Sequence, residues 1–192
     1  DEILYLDNKY INIASKIDTI SNQVVFELYS LYLKDLNFLF DGKVKIDYFN
    51  EKIDYYGNFY YENLQSNINV EMTKKIAKVY LVSQPFKSLK FLKNFLHLPN
   101  IAESWMYDNV KGDIKIEELY AEYDLINNHI IENSIQGKAQ IKDAKIRFHK
   151  DVDAVNTKSL DIFFKDNRLH FNLMDPMFKD KKLDGSFVLI NN

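Results

Sequence analysis

The chain has 192 residues, 46% hydrophobic and 28% charged, with a formal net charge of −3, 13 Tyr, 14 Phe, 5 Gly, 3 Pro and no Cys. That length suits one β-rich domain or two small ones, and the aromatic enrichment favours strands. The absence of Cys excludes disulfides and thiolate metal sites, the slight negative charge argues against a nucleic-acid footprint, and no apolar run reaches the ~18–20 residues that span a bilayer as a helix.

Residues 3–33 carry short alternating runs, Tyr10 to Ile13 and Val24 to Leu33, and read as strands. From Leu36 through Phe38, Phe40, Gly42, Val44 and Ile46 the apolar parity never breaks. This predicts one long bent strand with Gly42 at a bulge or kink, rather than a hairpin at Asp41-Gly42. Tyr48 continues it, and Ile53, Tyr55, Gly57, Phe59 and Tyr61 form the next strand. A two-residue turn at Asn50-Glu51 would set Tyr48 opposite Ile53. A turn at Leu64-Gln65 would set Tyr61 opposite Ile68 and Phe59 opposite Val70. A third, at Lys74-Lys75, would set Met72 opposite Ala77, Val70 opposite Val79 and Ile68 opposite Leu81. The alternate face reads Lys45, Asp47, Lys52, Asp54, Asn58, Asn67, Asn69, Glu71 and Lys78, which is wet. This is an antiparallel meander with one greasy face.

The period then changes. Pro85 suits a first helical turn, and Phe86, Leu89, Leu92, Phe95 and Leu96 follow at helical spacing. After Pro99, Asn100 and Glu103 form a capping-box-like start for a second helix carrying Ile101 and Trp105, closed by Gly112. Strands resume at Asp113, where a parity change between Ile116 and Leu119 suggests a bulge at Glu117-Glu118. A turn at Asp143-Ala144 would set Ile141 opposite Ile146 and Ala139 opposite Phe148. A hairpin at Asp166-Asn167 sets Phe164 opposite Leu169, Ile162 opposite Phe171 and Leu160 opposite Leu173. Leu183, Gly185, Phe187 and Leu189 make a last strand. The segments are an N-terminal meander (1–83), a helical insert (84–111) and a C-terminal meander (112–192), expected to form one continuous unit.

Catalytic chemistry finds little support. The four histidines lack metal-ligand spacing, and His149 with Asp151 and Asp153 reads as a polar loop after a strand. Asp175, Asp180 and Asp184 lack the EF-hand order. Glu117-Glu118 with Glu122 and Asp124 has no nucleophile nearby, and no nucleotide or hydrolase motif occurs. We therefore expect no enzyme, no cofactor and no metal. Lys87, Lys90 and Lys93 lie on the polar side of the first predicted helix, where they could meet an anionic membrane or headgroups. Capping the end of a sheet, with Phe86, Leu89, Leu92 and Phe95 packed beneath, is the preferred explanation of that helix. The aromatic run from Tyr48 to Tyr61 could stack bases or sugars, although half of it falls on the buried parity.

The first meander presents about a dozen inward apolar side chains, each worth about 1.5–3 kcal/mol on burial. Leaving them wet would exceed a typical net stability of about 5–15 kcal/mol, so something must cover them. Either two sheets close as a dry sandwich, or one sheet curls into a trough occupied by apolar ligand, and the residue pattern alone favours the sandwich as the commoner arrangement.

The stretch Pro85-Phe-Lys-Ser-Leu-Lys-Phe-Leu-Lys-Asn-Phe-Leu, then Leu98-Pro99, Glu103-Ser104-Trp105-Met106 and Gly112, resembles the helical break between β segments of the AsmA-like superfamily of bacterial envelope proteins, especially its YhdP-like branch. Ile135-Gln-Gly-Lys-Ala-Gln-Ile, Ala144-Lys-Ile-Arg-Phe, the Leu160–Leu173 hairpin and Leu183-Asp-Gly-Ser-Phe resemble the meander that follows, so the likeness covers residues 24–192. It implies a mostly β fold of antiparallel meander sheets curled into a hydrophobic, taco-like groove, with a short two-helix insert near residues 85–110. It further implies a periplasmic segment, anchored to the inner membrane through a region outside this chain, that shields phospholipid acyl chains on their way between the inner and outer membranes. The expected groove lining is Val44, Ile46, Tyr48, Ile53, Tyr55, Phe59, Tyr61, Ile68, Val70, Met72, Val79, Leu81, Ile141, Ile146, Phe148, Leu160, Ile162, Phe164, Leu169, Phe171 and Leu173. The expected partners are phospholipid and other segments of the same long protein. The competing expectation is a non-catalytic β-sandwich interaction module of the envelope.

Overall fold

The structure is a computed structural model describing residues 2–88, 90, 105–147, 149, 151–166, 168–184 and 187–191. It is mostly β, an open antiparallel meander. The strands are β1 (Glu2–Asp7), β2 (Ile11–Ile20), β3 (Gln23–Leu33), β4 (Phe38–Asp47), β5 (Lys52–Tyr61), β6 (Leu64–Met72), β7 (Ile76–Ser83) and β8 (Val110–Asp124). They continue as β9 (His129–Ile130), β10 (Gln136–Ile146), β11 (Val155–Lys165), β12 (Arg168–Met174), β13 (Met177–Phe178), β14 (Lys181–Lys182) and β15 (Phe187–Asn191). Hydrogen-bonded neighbours follow the order β1 to β8, then β10, β11, β12 and β15, with β9, β13 and β14 as short branches. The chain forms two compact units, residues 1–84 with 118–136 and residues 85–117 with 137–192. The division of β8 falls between Glu117 and Glu118, where the sequence parity changes.

In the first unit, alternation keeps one apolar face through every turn. Ile13, Leu31, Phe40, Phe59, Ser66 and Ser83 form one cross-strand row. Ser15, Leu28, Gly42, Gly57, Ile68, Leu81 and Leu119 form the next. Ile17, Phe26, Val44, Tyr55, Val70, Val79 and Ala121 form a third. The fourth is Thr19, Val24, Ile46, Ile53, Met72, Ala77 and Tyr123. Gly42 adopts φ 135 inside an unbroken β4, as the bent-strand expectation requires, and its register with β3 shifts between Leu28 and Leu31. Leu36, however, lies in the turn before β4 and is exposed.

Two registers differ from expectation. The β4–β5 loop is four residues, Tyr48 to Glu51, so Ile46 faces Ile53 and Val44 faces Tyr55. The Asp47 carboxylate sets this length by accepting hydrogen bonds from the Phe49 and Asn50 amides at 3.1 and 2.9 Å, while Glu51 takes a left-handed φ of 50°. The β5–β6 turn is Glu62-Asn63, with Glu62 at φ 49, so Tyr61 faces Leu64 and Phe59 faces Ser66. These shifts of two and four residues preserve face, because side chains repeat every two. The β6–β7 register is the expected one, with Met72 facing Ala77 and Val70 facing Val79. Thr73 Oγ1 accepts hydrogen bonds from the Lys75 and Ile76 amides there.

In the second unit the predicted turn at Asp143-Ala144 is absent, and β10 runs through it as one strand. Asp143 instead adopts φ 50 and reverses the inward parity from Ile141 to Ala144 and Ile146. The β11 strand matches this, with Leu160 opposite Ile141, Thr157 opposite Ala144 and Val155 opposite Ile146. A one-residue kink thus does what a hairpin was expected to do. Phe148 lies outside the described residues, and Ala139 faces Ile162 instead. The Asp166-Asn167 hairpin has the expected pairs, including Leu160 with Leu173 and Phe164 with Leu169.

Most of the first predicted helix, with Leu89, Leu92, Lys93, Phe95 and Leu96, lies outside the described residues, as do Asn100, Ile101 and Glu103. Phe86 forms a bridge to Ile114 through two N–O contacts of 2.8 Å. Trp105–Asn109 form a single π-helical turn. Gly112 does not close a helix: it sits in β8 at φ 150, where a Cβ would lie 2.6 Å from Ile141 Cγ2. The last strand begins at Phe187, after Leu183.

Candidate functional site

The two units differ in how their apolar side chains are covered. In the second, Ile141 and Ile146 are 1% exposed, Leu160 is 0% and Phe171 is 3%, with Leu173, Ile114, Val110, Tyr107 and Phe86 also buried. That is a filled core, closed by the protein's own side chains. Ile162 and Phe164 are half-buried on the same sheet.

The first unit is different. Val44, Ile46, Ile53, Tyr55, Phe59, Ile68, Val70, Met72, Val79 and Leu81 are all half-buried rather than buried. Ile13, Ile17, Val24, Phe26 and Leu31 extend the same half-covered surface across β2 and β3, and Leu119, Ala121 and Tyr123 extend it into β8. Alternation signals strands in β2 and β3, but their register against β4 depends on the β3 bulge, which no residue in the sequence announces. Buried residues on this face are confined to Ser15, Leu28, Tyr61, Leu64, Ser66, Ala77 and Ser83 among the side chains described, with Gly57 in their midst. Tyr48 leaves the face. It lies in the four-residue loop at 64% exposure and, with Phe49, Thr19 and Val24, borders a cleft of about 410 Å³ at one end of the sheet.

The face is graded along the strands. One end is aromatic: Phe38 packs edge-on against Phe59 and Tyr61, each at 5.1 Å between centroids, and Phe40 meets Phe59 at 5.1 Å. The other end is mainly aliphatic, from Val44 and Val70 to Ile46, Ile53 and Met72, with Phe26 and Tyr123 at its flanks. Between them Tyr55 folds its hydroxyl onto the backbone, with Oη 2.8 Å from the carbonyl oxygens of Asp41 and Asn58. Burial, reinforced by the Asp41 and Tyr60 charges, pushes this hydroxyl well above the usual phenol range. The polar atoms on the face are therefore few. Ser66 Oγ donates to the Phe59 carbonyl at 3.3 Å, and the fully buried Ser15 Oγ has no hydrogen-bond partner among the described residues.

The other sequence candidates are engaged in local pairs. Lys87 pairs with Asp113, and Lys90 lies 3.6 Å from Asp108. His149 Nδ1 is 3.6 Å from Asp151, and Lys179 is 3.6 Å from Asp153. Asp175 is held by Lys182 and Lys158 at 3.1 and 3.2 Å, which lowers its carboxyl below the usual carboxylate range. Glu117 pairs with Lys138 at 2.6 Å, while Glu122 accepts from the Tyr120 hydroxyl. Among the described residues no cluster of three His, Asp or Glu has metal-binding geometry, and no helix is long and apolar enough to cross a membrane.

No family model, curated protein or solved structure matches the chain.

Proposed function

We propose that the apolar face of the first unit shelters lipid acyl chains, and that this chain is a periplasmic segment of an AsmA-like protein that moves phospholipid between the inner and outer membranes. The observation that carries the reading is an aliphatic and aromatic surface running over seven strands of one sheet, whose side chains are half-buried rather than closed into a core. Each apolar side chain left partly in water on a surface of that extent forfeits burial energy, and an apolar ligand laid over it would recover that energy. Acyl chains need no directional partner, so a face with few polar atoms suits them. Headgroups would remain in water at the rim. The mechanism is passive shielding, and no residue is assigned a catalytic role.

The burial of Ile141, Ile146, Leu160, Phe171 and Leu173 supports a core and scaffold role for them in the second unit rather than a second lipid path. Lys87 and Lys90 would contact headgroups only by exchanging their present carboxylate partners. Strand β1 supports the expectation of further segments of the same protein as partners. It ends the sheet order, with Ile3 at 82% and Tyr5 at 68% exposure, and carries no Pro, Lys or bulge to blunt its edge.

The deciding experiment is native mass spectrometry of the purified chain, followed by organic extraction. Co-purifying phospholipid is expected. A clean apo mass, with no uptake from phospholipid vesicles, would favour the alternative of a non-catalytic interaction module.

A further inference from the structure

The opposite, wet face of the first unit carries a row of Lys43, Tyr56, Asn69, Tyr80 and Tyr120 on five successive strands. Tyr56 is 67% exposed and Tyr80 is 47% exposed. Tyr80 packs on Tyr120 with ring centroids 4.6 Å apart, and the Tyr120 hydroxyl is tied to Glu122. This pins one aromatic platform. Tyr56 stands two strands away, about 9.5 Å along the row at normal strand spacing. Asn69 lies between them.

The neighbouring row is a fixed polar ladder. Asn67 Nδ2 donates to Asn58 Oδ1 at 2.7 Å, Asn58 Nδ2 donates to Asp41 Oδ1 at 2.6 Å, and the Tyr60 hydroxyl donates to Asp41 Oδ2 at 3.0 Å. The ladder orients Asn67, whose side chain is exposed.

We infer that this face binds a neutral, β-linked oligosaccharide lying across the strands, with sugar rings stacked on Tyr56 and on the Tyr80–Tyr120 pair. The C–H face of a pyranose carries partial positive charge and meets the negative face of an aromatic ring. Its equatorial hydroxyls need donors and acceptors held beside that ring, and Asn69 and Asn67 stand there. An extended β-linked chain places alternate rings about two strand spacings apart, which matches the two platforms. Charge selects against ionic ligands. Lys52 is 2.9 Å from Asp54 and 3.5 Å from Glu71, so the signs on this face largely cancel. A single-stranded nucleic acid would need a basic groove beside its stacking rings. A peptide adding as a strand would need a free edge, whereas β5, β6 and β7 are paired on both sides.

The test is isothermal titration of the full chain with cellohexaose and with the hexamer of N-acetylglucosamine. Saturable binding of at least one is expected. Tyr56→Ala and Tyr80→Ala should each weaken it at least tenfold, while Tyr56→Phe retains it. Tyr29→Ala, at an exposed position outside the row, should leave affinity unchanged. Circular dichroism and phospholipid retention should be unaltered throughout, which separates this site from the acyl-chain face. Absence of binding to both sugars would overturn the proposal. So would binding that survives both tyrosine truncations, or that falls equally with Tyr29→Ala.

Discussion

Gly42 and Gly57 face each other across β4 and β5, and the space their missing side chains leave is where the Tyr55 hydroxyl reaches the backbone. A Cβ on Gly57 would stand 1.9 Å from the Asp41 carbonyl oxygen and 2.7 Å from Tyr55 Oη. A Cβ on Gly42 would stand 2.4 Å from the Tyr56 carbonyl oxygen, at a φ of 135° that L side chains rarely adopt. Gly57→Ala should therefore cost about 1–3 kcal/mol through overpacking. The corresponding fall in Tm is about 2–12 °C for a chain of this size, read by thermal melting.

Tyr55→Phe keeps the ring and removes the hydroxyl that serves the Asp41 and Asn58 carbonyls. The expected loss is about 0.5–1.5 kcal/mol at neutral pH. Because burial raises the folded-state ionisation above the ordinary 10.0, the hydroxyl's contribution is complete below pH 10 and fades as pH rises above it. Urea midpoints of the two proteins should thus converge on the alkaline side. A gap that stays constant through that range would assign the effect to packing instead.

The two units should answer substitution differently. Leu160→Ala opens a cavity at a fully buried site and is expected to cost about 2–5 kcal/mol. Val70→Ser alters a half-buried position, so the protein should fold yet retain less phospholipid after purification. Ile46→Asp and Phe59→Asp, which place a charge on the same face, should abolish retention or prevent folding. Equal lipid content in Val70→Ser, Ile46→Asp and the parent would remove the acyl-chain face from consideration.

Asp47 tests the loop that moved Tyr48 off the sheet. Hydrogen bonds from the Asn50 amide, the Asn50 side chain, the Gln23 side chain and the Phe49 amide hold its carboxyl down at about 2, against an ordinary 3.8. A depressed folded-state value contributes stability that is present above pH 3.8 and lost as pH falls towards 2. Asp47→Asn should remove that portion of the acid transition, leaving a flatter stability profile between those limits. An acid profile identical to the parent's would mean the loop is set by Glu51 backbone geometry alone.

How much was legible follows from what a period of two can and cannot encode. Alternation assigns Ile46, Ile53, Val70 and Val79 to the face they occupy although the β4–β5 and β5–β6 turns differ from expectation, because shifts of two and four residues leave parity intact. Loop length was harder to read. It depends on Asp47 capping its own turn and on Glu51 and Glu62 accepting left-handed conformations, which no Gly or Asn-Gly pair announced. Asp143 shows the same blind spot in the opposite sense. A single left-handed residue inside β10 reverses parity, and alternation alone reads such a reversal as a turn. For the candidate site, the sequence indicated which residues are greasy but not whether they are covered. Leu160 and Val70 look alike in pattern, and only packing distinguishes a closed core from an open face.

The edge of the first unit supplies the remaining prediction. Ile3, Tyr5 and Leu6 are exposed on β1, and its pairing partner β2 occupies one side only. Unpaired backbone groups flanked by apolar side chains on both faces form a template for another strand, and natural edges are usually blunted by Lys, Pro or a bulge. Tyr5→Lys supplies such a charge at an exposed position without touching the buried residues. Stability should change by no more than about 0.5 kcal/mol, as for other surface substitutions. Self-association at high concentration, followed by light scattering, should fall. Unaltered scattering would show that β1 is not the surface through which copies meet, and would remove the edge-strand support for pairing with further segments.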